Sequence, residues 1–226
     1  MEMQVPITTE QHVKQIAMEY PLATRVFHRH NIDFCCGGGV SLESACAKRG
    51  VDSAVVLEEL QAEIGHDESH ETNWSTATPT DLIQHILKDY HEPLYEELPR
   101  LEALCTKVVG KHTEKMAALP ELQSVFTALK ADLLQHMAKE EQILFPMIQS
   151  GQTSMTAGPI SVMREEHDEA GAALEQIRQL TNNYDVPGEA CNSWRALWAG
   201  LQSLELELHN HIHLENNILF AKVMLA

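Results

Sequence analysis

Beyond residue 78 the apolar positions recur every three or four residues in four long stretches, the spacing of one face of an amphipathic helix. The stripes read Ile83, Leu87, His91, Leu94, Leu98, Leu101; then Leu129, Leu133, His136, Glu140, Ile143, Met147. They continue as Ile160, Met163, His167, Ala170, Leu174, Ile177 and as Leu201, Leu204, Leu208, His211, Glu215, Ile218. Prolines at first turns and Gly or Asn after the ends predict helices over about 79–106, 120–149, 159–182 and from 189 nearly to the C-terminus. Four such helices with modest connections predict an all-α, up-down-up-down four-helix bundle.

Residues 1–65 carry shorter periods and predict a small helical domain. Thr9 is a candidate cap for a helix through His12, Ile16 and Met18, and Pro21 can open a second with Val26 and Phe27. The run Asp33-Phe34-Cys35-Cys36-Gly37-Gly38-Gly39 breaks the period. Ser41 and Asp52 are candidate caps of two more helices, the last carrying Val55, Val56, Leu60 and Ile64. Residues 66–78 turn polar and aperiodic, which predicts a linker, with the bundle occupying 79–226.

Four histidines and two glutamates interrupt otherwise apolar stripes. In His136-x-x-x-Glu140 and His211-x-x-x-Glu215 the spacing sets an imidazole and a carboxylate on one helical face. The pattern is duplicated: His91 to His136 spans 136 − 91 = 45 residues and His167 to His211 spans 211 − 167 = 44. His91 and His136 each lie roughly 20–25 Å from their connection at 1.5 Å per residue. The fourth helix starts further from His211, which predicts an overhanging end or an extended third helix. Two carboxylates buried together are costly unless neutralised, and divalent metal ions would neutralise both. Imidazole with carboxylate suits Fe, Mn or Zn rather than calcium. Asp132 and Glu207, one turn before His136 and His211, are candidates to orient those imidazoles, with ordinary surface acids as the alternative. His85, His209 and His213 are rotated away from the stripes, and His112 either covers the site or is exposed. His12, His28, His30, His66 and His70 fall outside the bundle.

Composition narrows the function classes. A net charge of −17 opposes binding to phosphate backbones, so no nucleic-acid partner is expected. No apolar run reaches the roughly 20 residues of a membrane span, and no basic start and apolar segment of a secretory signal is seen, so the expected compartment is the cytoplasm. Five irregularly spaced cysteines form neither a disulfide framework nor a zinc pattern. Adjacent Cys35 and Cys36 cannot form an unstrained disulfide with each other. Their glycine-rich flank suggests free backbone amides, accessible thiols and a pKa lowered by the helix starting at Ser41. Cys46, Cys105 and Cys191 read as buried or incidental thiols.

Glu-x-x-His, the ferritin-like order, is absent from the stripes; His-x-x-x-Glu is the hemerythrin-like one. The stretch His136-Met-Ala-Lys-Glu140-Glu-Gln-Ile-Leu-Phe-Pro146 resembles the repair-of-iron-centres branch of hemerythrin-like proteins. So do Gly158-Pro-Ile-Ser-Val-Met-Arg-Glu-Glu-His167 and His211-Ile-His-Leu-Glu215-Asn-Asn-Ile-Leu-Phe220. Asn31-Ile-Asp-Phe-Cys35-Cys36-Gly-Gly resembles the double-cysteine domain that precedes the bundle in that branch. Phe220-Ala221 stands where the family pattern leads one to expect Phe-Pro. The resemblance implies a carboxylate-bridged centre of two iron ions on His91, His136, Glu140, His167, His211 and Glu215. It implies repair of iron–sulfur clusters damaged by nitrosative or oxidative stress, by donation of iron to damaged proteins or their scaffolds. Asp132 and Glu166 would line a route for departing cations, and Cys35 and Cys36 are candidates for redox chemistry or capture of iron or NO. A di-iron nitric oxide reductase and an O₂- or NO-sensing module are the alternatives; the chain is expected to be a monomer or homodimer.

Overall fold

A computed structural model describes residues 7–65 and 74–225. They form eight helices, two short 3-10 turns and no strand among the described residues. The four helices of the first part are α1 (Val13–Glu19), α2 (Ala23–Arg29), α3 (Leu42–Arg49) and α4 (Ser53–Gly65). Four longer ones follow: α5 (79–112), α6 (119–149), α7 (Ala157–Leu180) and α8 (192–224). Three of these contain a π-helical turn, at Leu87–His91 in α5, Glu140–Leu144 in α6 and Leu214–Leu219 in α8. Backbone contacts divide the chain into two compact units, one of Pro79–His211 and one of the described residues up to Thr78 with Ile212–Leu225.

The stripes build the core of the larger unit. Leu94, Leu98 and Leu101 of α5 are buried, as are Phe126, Leu129 and Leu133 of α6. Ala170, Leu174 and Ile177 of α7 join the same core with Leu201, Leu204 and Leu208 of α8. Helix α5 runs six residues past the predicted Thr106, to His112, because its stripe continues through buried Cys105 and Val108. Ile143 is a clear departure: it is 52% exposed, while neighbouring Leu144 and Ile148 are buried. The π turn explains it, since one extra residue per turn rotates everything beyond Glu140 off the 3.6-residue register.

The overhang expected at α8 is real. Its first turns bury Trp194, Leu197 and Trp198 with Tyr184 and Ala190 of the α7–α8 connection. Asn182, Asn183 and Tyr184 enter that connection with φ of 52°, 55° and 60°, a left-handed run that asparagine tolerates better than tyrosine. What holds Tyr184 there is a buried polar cluster. Its hydroxyl donates to Glu205 Oε2 at 2.7 Å, and Arg178 Nε donates to Glu205 Oε1 at 2.9 Å. Burial, then the adjacent Glu205 carboxylate, pushes the Tyr184 phenol well up, so it stays protonated and donating.

In the other unit, Val13, Ile16, Phe27, Phe34, Leu42, Val56 and Leu60 pack with Ile212 of α8. Thr9 does not cap α1, which starts at Val13 with His12 as its N-cap. Residues 9–13 instead join the segment before α3: Val13 N donates to Val40 O at 3.0 Å, Leu42 N to Gln11 O at 2.9 Å and Glu43 N to Thr9 O at 3.0 Å. Ser41 and Asp52 do cap, accepting from Ser44 N at 3.2 Å and Ala54 N at 2.9 Å. Val55 is 49% exposed because adjacent helical positions diverge by about 100°, and Val56 takes the core. Of the expected linker, residues 66–73 lie outside the described part, as do His66, His70 and residues 1–6; Trp74–Thr76 form a 3-10 turn.

Replacing Arg178 by Met should destabilise the protein by about 3–5 kcal/mol, because Glu205 would be left charged and buried without its cation. Denaturant unfolding of the single variant against Arg178→Met/Glu205→Met measures this. The double variant should recover most of the loss.

Candidate metal centre

The four histidines and two glutamates that interrupt the stripes are all buried, with exposures of 0–4%. Two groups of ligand atoms, each within 4.8 Å of one another, can be drawn: His91, Glu140, His211, Glu215 and His136, Glu140, His167, Glu215. Both glutamates belong to both groups, one histidine pair to each.

The π turns place these residues. In α6 and α8 the turn begins at or just before the glutamate. The amide of Phe145 donates to Glu140 O, and that of Phe220 to Glu215 O, each five residues back. In α5 the turn ends on His91, and the Glu92 amide donates to Leu87 O. Pro93 and Pro146 follow these wider turns, where a proline's missing N–H and ring disturb the ordinary helical ladder. Helix α8 makes the same turn without the proline, so Ala221 does not remove it. Phe145 and Phe220, each buried, anchor the two turns in the core.

The polar atoms converge without saturating one another. His91 Nε2 lies 3.2 Å from His211 Nε2, and His136 Nε2 3.1 Å from His167 Nε2. His91 and His136 also approach Glu140 Oε2, at 3.4 and 3.3 Å. Neither oxygen of Glu140 has a hydrogen-bond partner, although the side chain is fully buried. A buried carboxylate in that condition is strongly destabilising unless a cation meets it. Two imidazole nitrogens 3.1–3.2 Å apart span adjacent positions around one ion at metal–nitrogen distances of about 2.0–2.1 Å. The donor set therefore fits a pair of imidazole- and carboxylate-bound cations.

The imidazoles are held from behind by acids other than those expected. His91 Nδ1 donates to Glu141 Oε1 at 2.9 Å, and His136 Nδ1 donates to Glu166 Oε2 at 2.9 Å. Each acid sits on the neighbouring helix. Asp132 and Glu207, expected in this role, are exposed, and Glu207 accepts from Ser203 Oγ at 3.3 Å. One turn before a ligand on the same helix, an acid shares the ligand's direction; a partner behind the ring has to come from across. Burial opposes ionisation of Glu166, but hydrogen bonds from Lys139 and His136 outweigh it and hold its carboxyl below the ordinary value. Tyr90 stacks on His211 with ring centroids 5.2 Å apart. A 3.6-residue stripe passes over Glu141 and Tyr90, because only the π turns bring them behind the ligand rings.

Three further histidines of the long helices lie outside both ligand groups. His85 pairs with Asp89 at 2.5 Å. His112 packs on Trp194 with its Nε2 3.3 Å from Cys191 Sγ, and it covers no part of the site, since His91 is 21 residues back along α5, roughly 30 Å. His213 is buried rather than outward-facing: Nδ1 donates to Phe34 O at 3.3 Å, and burial pushes its imidazole down to about 4, so the ring is neutral.

Cys35 and Cys36 lie on a loop in the same unit as the end of α8. Their amides are not free: Asp33 Oδ1 accepts from Cys35 N and Cys36 N at 3.0 Å each, and Oδ2 from Gly37 N at 2.8 Å. Gly38 is required, since a Cβ there would stand 2.7 Å from Phe34 O. Cys35 is buried, and hydrogen bonding to Cys36, burial and the Asp33 charge push its thiol well up, opposite to the expected lowering. Cys36 is half-buried, with Asn216 Nδ2 3.8 Å from its sulfur, and Asn217 Nδ2 donates to Cys35 O at 3.0 Å. Cys46 and Cys105 are buried, whereas Cys191 is exposed.

Comparison with known proteins agrees with this architecture. A family profile described as the hemerythrin HHE cation binding domain matches residues 82–223, and one described as ScdA_N, a domain of unknown function, matches residues 9–64. The iron-sulfur cluster repair protein YtfE of Musicola paradisiaca (strain Ech703) is 44% identical over 95% of this chain and 96% of its own. The proteins of the same name from Cronobacter sakazakii (strain ATCC BAA-894) and Escherichia coli (strain K12 / DH10B) are 42% and 41% identical. Each match covers 95% of this chain, with 96% and 97% of the relatives' lengths.

Glu140→Leu should raise the stability of the metal-free protein by about 1–3 kcal/mol while abolishing stoichiometric metal binding, since a buried unpartnered carboxylate is replaced by an apolar side chain. Thermal melts of chelator-treated protein and metal titration of the same samples check the two opposed effects.

Proposed function

The chain belongs to the hemerythrin HHE cation-binding family, in its repair-of-iron-centres branch, and from that premise we propose that it carries two iron ions and repairs damaged iron–sulfur clusters by donating iron. The single observation that carries this reading is Glu140, fully buried among histidines with neither oxygen hydrogen-bonded, in a chain that sets a second buried glutamate, Glu215, in the same two groups of ligand residues. In the proposal Glu140 and Glu215 bridge the metals, His91 and His211 terminate one, and His136 and His167 the other. Bound iron supplies a centre that can change oxidation state and exchange its ligands. The protein's own Glu141 and Glu166 engage His91 and His136 through Nδ1–H and orient each ring so that Nε2 faces the other ligands. Phe145 stacks on His91 with ring centroids 5.9 Å apart and sets an apolar wall beside that ligand.

Donation suits this donor set. Imidazole and carboxylate bind metal only when deprotonated, so affinity falls as the ligands take up protons. The clients are damaged iron–sulfur proteins or their scaffolds, as the names of the relatives imply for those proteins. In this reading half-buried Cys36 receives iron or NO, with buried Cys35 beside it. A cytoplasmic setting matches such clients; no helix among the described residues is long and apolar enough to cross a membrane. Glu166, engaged with His136 and Lys139, acts in this reading as a support for the imidazole rather than as a lining of an exit route.

A second reading has its own observation: each group offers only four ligand residues, which leaves positions for a small molecule such as NO. Protein purified without oxygen should hold two irons per chain with the Mössbauer signature of a coupled pair, and should restore activity to a cluster-damaged dehydratase. Turnover of NO to N₂O without any such restoration would move the assignment to nitric oxide reduction. A mononuclear or metal-free preparation would sink both readings.

Replacing both glutamates, Glu140→Gln with Glu215→Gln, should lower bound iron from two per chain to below 0.2, roughly a tenfold or greater loss. Iron analysis after anaerobic purification checks it. Single Cys36→Ser should retain both irons and slow cluster repair.

A further inference from the structure

The six buried groups repeat between the two halves of the chain, but the acids that hold their imidazoles do not. Behind His91, Glu141 Oε1 accepts from His91 Nδ1 at 2.9 Å and from the Tyr95 hydroxyl at 3.1 Å. The second donor is a neutral phenol, and among the described residues no Lys or Arg pairs with Glu141. Behind His136, Glu166 Oε2 accepts from His136 Nδ1 at 2.9 Å while Lys139 Nζ binds its other oxygen. Solvent does not level the contrast, since the side chains of Glu141 and Glu166 are comparably covered, 30% and 23% exposed.

A carboxylate that accepts the distal N–H of a metal-bound imidazole makes that imidazole a stronger donor, and such partners change metal affinity by about 10–100-fold. The effect scales with the negative charge the carboxylate can lend. Glu141 lends more of it, because a phenol hydroxyl brings a hydrogen bond but no compensating charge. Glu166 shares it with an ammonium group that lies in direct contact, and the attraction between the two competes with its pull on the imidazolyl proton. The Lys139 charge also adds a repulsion towards a nearby cation.

The geometry points to two inequivalent metal positions: the one on His91 and His211 holds its ion tightly through Glu141 and Tyr95, and the one on His136 and His167 gives its ion up first. This inference rests on the two-metal reading above and deepens it. The chain then keeps one resident cation and spends the other, with Glu141 and Glu166 as positioning residues and Lys139 as the group that sets the difference. Lys139 is 43% exposed, so a client surface carrying an acid could draw it away or reinforce it.

The test uses the full chain loaded anaerobically with ⁵⁷Fe(II) and mixed with excess ferrous chelator. The wild type should release two irons per chain in two resolved phases. Lys139→Met should slow the fast phase about tenfold, and Glu141→Gln should accelerate the slow phase about tenfold, each leaving the other phase within twofold. Mössbauer spectra should show two ferrous doublets, of which Glu141→Gln moves only one, and Glu141→Asp should restore it in part. A single release phase, or an effect of either variant spread evenly over both irons, overturns the inference and leaves the two-metal reading standing. Fewer than two irons in the wild type overturns that reading instead. Should Glu141→Gln fail to fold, Lys139→Met, at an exposed position, decides alone: an unchanged fast phase rejects the inference.

Discussion

Two carboxylates sit at the centre of four helices with no water-facing side. Glu140 and Glu215 are each fully buried, and four imidazoles close around them. In a protein whose net stability is typically about 5–15 kcal/mol, a cluster of this kind is a large liability when empty. The apolar stripes on either side, from Leu94 to Val108 and from Leu201 to Leu208, have to hold the helices together against it. The long dry stretch beyond the site, with its Trp194 and Trp198, supplies that reserve at a distance from the polar groups. Metal binding is thus linked to folding: the ion removes a strain that the rest of the bundle otherwise bears.

Much of this was legible in the chain. Stripe spacing located the four helices, and the six polar positions stood out because each replaced an apolar residue in register. Their duplication, 45 residues apart in one half and 44 in the other, pointed to a shared centre. What spacing could not show is the π turn. A 3.6-residue rule carries Ile143 into the core and turns Glu141 away from the ligands, whereas the structure exposes Ile143 and sets half-buried Glu141 against His91. The two prolines at 93 and 146 were the available signal, since each disturbs the ordinary ladder just past a wide turn. That signal is incomplete, as α8 makes its π turn with alanine at 221.

The double-cysteine loop shows a different limit. Glycines at 37, 38 and 39 suggested an open loop with free amides. Asp33, two residues before Cys35, takes three of those amides on one carboxylate, and local side-chain capture of this kind is common for aspartate in turns. The same carboxylate then works against ionisation of Cys35, so of the pair Cys36 is the thiol able to meet a reactant. Sequence adjacency made the two cysteines look equivalent; burial and charge separate them.

Duplication explains why the halves resemble each other, and the supports show where they have diverged. Both halves keep histidine, histidine and glutamate, and both keep a buried phenylalanine whose amide closes the wide turn on the glutamate carbonyl. Those features set where the polar atoms are, and altering either glutamate would disturb both positions, since each serves both groups. The groups behind the imidazoles are under no such shared constraint. Glu141, with Tyr95 on it, supports His91, and Glu166, with Lys139 on it, supports His136, so one side can change without the other. In a symmetric cage with shared bridges, the outer partners are therefore the physical route by which two metal positions acquire different affinities. Under the proposed iron-donor reading the chain must hold iron and also surrender it, and a phenol on one side with an ammonium group on the other supplies the difference.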